Sequence, residues 1–314
     1  HDRPHTLYAI RRDSPLIVAK TESAGFIASD IPAILSHTRS YYRPGEDVVA
    51  VLCGSDVHFF EESGKEKMLV EETVNWDVEA AQKCGYPHFM LKEIHEEPDA
   101  LRRTVMPHLK DGLPYFGVPM LDGDGLKNVG TIHIVACGTA MHAGLLGRAW
   151  IEKFARIRVD VDIASEFRYR DPVLAPNDLV VLISQSGETA DTLAALRLAK
   201  ARGVHTLAIV NVVGSSVARE ADDVIYTWAG PEIAVATTKG YTTQLSVLYL
   251  FAVYAAHTME LLPEQEYVRL IGELQAIPQK IQQALDMNPA LPQLAKEYNS
   301  GHSVFYIGRN TDYA

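Results

Sequence analysis

The chain is 314 residues long, 47% hydrophobic and 22% charged, with a net charge of −11 at neutral pH. That length exceeds one ordinary hydrophobic core, so two domains or parts of domains are expected, and the composition excludes disordered and collagen-like chains. The acidic balance argues against the basic footprint of a nucleic-acid binder.

The opening "HDRPHTLYAI" has neither a starting methionine nor the anatomy of a signal peptide, so the chain is expected to begin inside a longer protein. "PLIVAKTESAGFIASD" and "DVVAVLCGSDVHFFEESGKEK", with the turn "RPGED" between them, predict strands with hairpin-type connections and no β-α-β rhythm. The charged stretch "YPHFMLKEIHEEPDALRRTV" (Tyr86 to Val105) predicts a partly helical connector. From about Asn128, strands and helices alternate. "TIHIVAC" (Thr131 to Cys137) is an apolar strand, followed by the helical spacing of "TAMHAGLLGRAWIEKFA". "VDVDIAS" (Val159 to Ser165) alternates like a strand, and "DLVVLIS" (Asp178 to Ser184) is a continuous apolar run of the kind buried on both faces. "TADTLAALRLAKARG" predicts a helix closed by Gly203, "HTLAIVN" and "DVIYTWA" two more strands, and "TTKGYTTQLSVLYLFAVYAAHTM" a long apolar helix.

Strands separated by helices of this length predict a doubly wound α/β domain with a parallel sheet over residues 128 to about 260. After Pro263 comes a further helical stretch. The final "HSVFYIGRN" repeats the shape of "TIHIVACGT" and is expected to be the first strand of a second such domain, cut short. No apolar run approaches the roughly 20 residues of a membrane helix.

In doubly wound folds ligands sit beyond the carboxyl ends of the strands. The junction "LISQSGETADTLAAL" lies at such an end and collects Ser184, Gln185, Ser186, Gly187 and Thr189 at the start of a helix. Unpaired N–H groups and the positive end of the helix dipole, joined by neutral hydroxyl and amide donors, suit a phosphate dianion. A plain helix cap by Ser186 or Glu188 is the alternative. "CGTA" (Cys137 to Ala140) and "AVATTKGYTTQ" (Ala234 to Gln244) place similar small donors at two other strand ends.

Taken together, "ACGTAMHAG", "EFRYR", "LISQSGETADTLAALRLAK", "NVVGSSVAREAD" and "ATTKGYTTQ" resemble the first sugar-isomerase (SIS) domain of the glutamine:fructose-6-phosphate aminotransferases. "HFMLKEIHEEPDAL" resembles the segment joining that family's glutaminase and isomerase halves, and "SPLIVAKTESAGFIASD" the later part of its N-terminal-nucleophile-type glutaminase domain. The resemblance implies part of an α+β glutaminase domain over 1–85, a connector over 86–120, a first SIS domain over 121–276 and the start of a second over 277–314. It further implies that Ser184, Gln185, Ser186 and Thr189 hold the phosphate of fructose 6-phosphate or glucosamine 6-phosphate, and that Thr139, Val235 and Thr237 line the sugar. Ala140 stands where the family often has a serine.

The family's amine-bearing terminal cysteine and its acid-base glutamate, ring-opening histidine and Schiff-base lysine have no counterparts in this sequence. No catalytic residue is therefore expected within it, glutamine is expected as a substrate only of a complete enzyme, and a polypeptide of these residues alone is expected to be inactive. The resemblance also implies a homodimer without metal or organic cofactor, and the three cysteines, widely spaced with no CxxC pair, fit a reducing cytoplasm. A phosphosugar-sensing module is the rival, which the glutaminase-like segment and the connector disfavour.

Cys53, Cys84 and Cys137 form no CxxC pair, so neither a disulfide framework nor a zinc site is expected, and each is read as a buried structural thiol. His133, His142 and His205 lack metal-binding spacing and are read as structural. Lys239 is read as solvated, and Glu188 as compensating a helix dipole.

Overall fold

The computed structural model of the chain describes residues 3–12, 15–29, 31, 33–74, 83–121, 125–287, 291–299, 301, 303 and 305–313. The chain divides into two compact units, His1–Gly85 and Tyr86–Ala314.

The first unit contains strands β1 (Thr6–Ala9), β2 (Ile17–Lys20), β3 (Gly25–Ala28), β4 (Ser40–Tyr41), β5 (Val48–Cys53), β6 (Asp56–Glu61) and β7 (Glu72–Thr73), and no α-helix among its described residues. β1, β5 and β6 form an antiparallel sheet, while β2 pairs with β3 and β4 with β7. Alternation decides what β5 buries: Val48, Ala50 and Leu52 pack with Leu16, Val18 and Phe59. β2 is covered on both faces, because Ile17 and Ala19 join a second cluster with Ile34, Tyr41 and Val74. Cys53 is the last residue of β5, where that alternation turns it outward. It and Cys84 are exposed and Cys137 is only half-buried, so the expectation of buried thiols fails.

The second unit begins with helices α1 (Phe89–His95) and α2 (Glu97–Val105) and the short pair β8 (Leu109–Lys110) and β9 (Leu113–Pro114). A regular alternation follows: β10 (Thr131–Ala136), α3 (Gly138–Phe154), β11 (Arg158–Ile163), α4 (Ala164–Tyr169), β12 (Leu179–Ser184), α5 (Ala190–Ala201), β13 (His205–Val210), α6 (Ser216–Glu220), β14 (Asp223–Tyr226) and α7 (Lys239–Thr258). The five strands form one parallel sheet in the order β11-β10-β12-β13-β14. The doubly wound α/β expectation is met. "VDVDIAS" ends as a strand at Ile163, and its last two residues open α4 instead.

Period-2 alternation sends the strand side chains to two separate cores. Ile132, Ile134, Val181, Ile183, Leu207 and Ile209 pack under α3 and α7, with Ile151, Val247 and Phe251. Val135, Val180, Leu182 and Val210 face the opposite way, onto Phe167, Leu193, Leu196 and Val217. All of β12 is buried, which explains its unbroken apolar run.

The stretch expected to be a connector folds onto this unit. α2 buries Ala100, Leu101, Thr104 and Val105. Polar side chains of α2 and of the turn after it reach the backbone at and beyond the end of the edge strand β14: His108 Nε2, in that turn, lies 2.8 Å from the Tyr226 carbonyl, Thr104 Oγ1 donates to Thr227 O, and Arg103 Nη2 to Ala229 O. Carbonyls that an edge would leave bare are thereby paired. Burial holds the His108 pKa below its ordinary value, while the bond to the Tyr226 carbonyl opposes that shift.

Helix α8 (Glu264–Asp286) runs without interruption across residues 276 and 277. The strand expected in "HSVFYIGRN" is not found among the described residues: 303 and 305–309 have no regular structure, and Phe305, Tyr306 and Ile307 are exposed. His302 and Val304 lie outside the described residues. An apolar run becomes a strand only beside a neighbour that pairs its backbone, and no described residue pairs with it as a strand. No helix among the described residues is long and apolar enough to cross a membrane.

Candidate functional site

Strand order reverses direction at β10: β11 lies on one side of it and β12 on the other. The helices that follow β10 and β12 pack on opposite faces of the sheet, so the loops leaving these strands diverge there, the usual ligand position in such sheets. Gly138, at φ +55, turns the chain sharply out of β10 and leaves Thr139 exposed in the first turn of α3.

The loop after β12 is organised from within. The Gly187 N–H donates to Ser184 Oγ at 3.0 Å, and Ser184 Oγ and Thr189 Oγ1 lie 3.2 Å apart. Ser184 is buried, so it shapes the loop from beneath, whereas Ser186 is exposed and accepts the Glu188 N–H at 3.2 Å. Gly187 has φ +66, and a Cβ there would run into Ser215 Oγ. Only glycine fits both the left-handed backbone and that approach. Thr189 is the N-cap of α5 and makes no side-chain capping bond, so the first N–H groups of the helix face the loop.

Glu188 does something other than compensate the α5 dipole. Its Oε1 accepts the Ser216 N–H at 3.0 Å, and the Gly187 carbonyl accepts the Val217 N–H at 2.9 Å, so the loop is pinned to the start of α6.

The third loop joins β14 to α7. Asn211 ties it to the second: the Asn211 N–H donates to Gln185 O at 3.3 Å, its Nδ2 donates to Gly230 O at 2.8 Å, and its Oδ1 accepts the Ala229 N–H at 2.7 Å. A Cβ on Gly240 would come within 3.1 Å of Gln185 Cγ, which brings the start of α7 against the 184–189 loop. Glu232 folds the third loop on itself, accepting from Thr237 Oγ1 (2.7 Å), Thr238 N (2.9 Å) and Gly240 N (3.0 Å). Its carboxylate meets the positive end of the α7 dipole. With its proton committed to Glu232, Thr237 offers a ligand an acceptor. The Val235 side chain is fully exposed at the loop's tip.

Lys239 is not solvated. It is 2% exposed, and its Nζ donates to Glu96 Oε2 at 2.7 Å; Glu96 Oε1 also lies 3.2 Å from Lys92 Nζ. Sequence reasoning missed Glu93, Glu96, Asn211 and Glu232. The one available signal was a carboxylate shortly before an N-terminal helix turn, "PEIAVATTKG".

Ser184, Gln185, Ser186 and Thr189 thus share one loop, and Gly240 brings the Thr237 loop beside it. Thr139 stands on the neighbouring strand's loop. His133 pairs with Asp178 at 3.3 Å and His205 with Asp223 at 2.7 Å, both as packing partners, while His142 is exposed. Among the described residues no group of His, Cys, Asp or Glu could hold a metal.

Residues 125–254 match the SIS domain family. The glutamine–fructose-6-phosphate aminotransferase of Clostridium acetobutylicum is 47% identical over 99% of this chain and 51% of its own length. That of Caldanaerobacter subterraneus subsp. tengcongensis is 49% identical over 100% and 52%. Among solved structures, the C-terminal domain of glucosamine-fructose-6-phosphate aminotransferase from Francisella tularensis is 40% identical, with a TM-score of 0.69 over 73% of this chain and 64% of that one. A phosphosugar isomerase fold from Clostridium difficile 630, 20% identical at TM-score 0.58, shares the architecture alone. The chain spans about half the length of the curated relatives it matches. The chain therefore carries an SIS domain over residues 125–254 and is similar along nearly its whole length to about half the length of these glutamine–fructose-6-phosphate aminotransferases.

Proposed function

We propose that the three loops form a site for fructose 6-phosphate and its product glucosamine 6-phosphate, and that the chain supplies the sugar-phosphate-binding part of a glutamine–fructose-6-phosphate aminotransferase. The observation that carries this reading is the 184–189 loop: exposed Ser186, Gln185, and the open N-terminus of α5, on a backbone that Gly187 packs against Ser215. Neutral donors and a helix dipole there compensate a dianion without a cationic side chain. Thr139 and the Val235–Thr237 turn are left for the sugar hydroxyls. The family match favours the aminotransferase over a sensing module, because it extends through residues 1–120, outside the SIS domain. In the complete enzyme the nitrogen comes from glutamine; the same reading takes the protein as a cytoplasmic homodimer that needs no metal.

Ser186→Ala tests the phosphate assignment. Loss of a hydrogen bond to a charged group is expected to weaken fructose 6-phosphate binding by about 1.5–3 kcal/mol, with little change in melting temperature. A large fall in melting temperature at unchanged affinity would make Ser186 a structural cap.

A further inference from the structure

The Val235–Thr237 turn belongs to a loop with no regular secondary structure, yet both of its flanks are fixed. On the far side Glu232 holds Thr237, Thr238 and Gly240. On the near side the anchor comes from outside the SIS domain, which spans 125–254. Glu93, on α1, is 1% exposed, and its Oε1 accepts the backbone N–H groups of Ile233 at 2.6 Å and Ala234 at 3.2 Å. The second oxygen lies 3.3 Å from the Ala234 nitrogen. Burying a carboxylate this completely is costly unless donors compensate it, and the two N–H groups are those donors. Burial raises the Glu93 pKa while these bonds oppose the rise, so the side chain is held in place at an electrostatic cost.

We propose that Glu93 is a positioning residue for the sugar end of the site: it clamps Ile233 and Ala234 so that the Val235–Thr237 turn presents its backbone and the Thr237 oxygen to sugar hydroxyls. The side-chain hydrogen bonds of Glu93 among the described residues go to Ile233 and Ala234, on the third loop and not on the 184–189 loop. Its effect should therefore fall on recognition of the sugar and spare recognition of the phosphate. The inference rests on the phosphosugar reading above.

The test is titration calorimetry of the full chain with fructose 6-phosphate and, separately, with inorganic phosphate. Glu93→Ala is expected to weaken fructose 6-phosphate about tenfold while leaving inorganic phosphate within about twofold. Glu93→Gln keeps the Oε1 acceptor, so it should lose only about threefold for the phosphosugar and nothing for phosphate. If Glu93→Ala does not fold, Glu93→Gln decides alone on that same pattern. Equal affinity of variant and wild type for fructose 6-phosphate, or parallel loss of both ligands, overturns the proposal. A wild-type chain that binds inorganic phosphate but gains nothing from the sugar removes the phosphosugar reading itself, a result distinguishable because it appears before any variant is made.

Discussion

Gly187→Ala is expected to destabilise the second unit by about 2–5 kcal/mol and to abolish fructose 6-phosphate binding, with two penalties adding. A non-glycine residue at φ +66 costs about 1–2 kcal/mol, and the new methyl must displace fully buried Ser215, an overpacking worth about 1–3 more. Relief by movement of the loop would separate Gly187 from Val217 and lift the donors off the phosphate position. Gly203→Ala is the control: its φ is +71, but nothing lies within 4 Å of the added Cβ, and it sits at the far end of α5. That variant should lose only about 1–2 kcal/mol and bind normally. Urea midpoints and calorimetry read both, and equal losses for the two variants would remove the contact with Ser215 from the explanation.

Lys239→Met is expected to cost about 2–4 kcal/mol, which for a unit of this size lowers the melting temperature by about 4–16 °C. Methionine keeps the buried stem but leaves the Glu96 carboxylate without its closest cation. The loss stays below that of a fully enclosed pair because Glu96 is 29% exposed and retains Lys92. Adding Glu96→Gln should cost at least about 1 kcal/mol less than the sum of the two single losses, since a neutral amide needs no cation at position 239, although it also weakens the partner of buried Lys92. Strictly additive losses in the double variant would show that packing of the stem, and not the ion pair, holds Lys239.

The sheet was legible in the sequence because β10, β12 and β13 are mostly apolar runs, and a strand buried on both faces admits a polar residue only with a partner, as His133 has in Asp178 and Thr206 in Asp222. The 184–189 loop stood out in the sequence for a related reason: hydroxyls and a glycine at a strand's carboxyl end interrupt two unambiguous patterns. Lys92, Glu93 and Lys239 were illegible. Charge in a local window reads as solvation, and Glu93 finds its donors 140 and 141 positions away. "HSVFYIGRN" differs in the opposite direction: its apolar pattern is strand-like, yet its described residues 303 and 305–309 have no regular structure, because a pattern supplies no pairing partner. Cys53 misled because a thiol's usual burial was weighed without its place at a hairpin end.

The central claim is that the 184–189 loop recognises a phosphate and the two flanking loops recognise the sugar that carries it. Titration calorimetry of the chain with fructose 6-phosphate and with fructose under the same buffer tests it most directly. The account predicts saturable binding of fructose 6-phosphate, competition by inorganic phosphate, and no measurable binding of fructose. Equal affinity for the two sugars, or binding of neither, would contradict it.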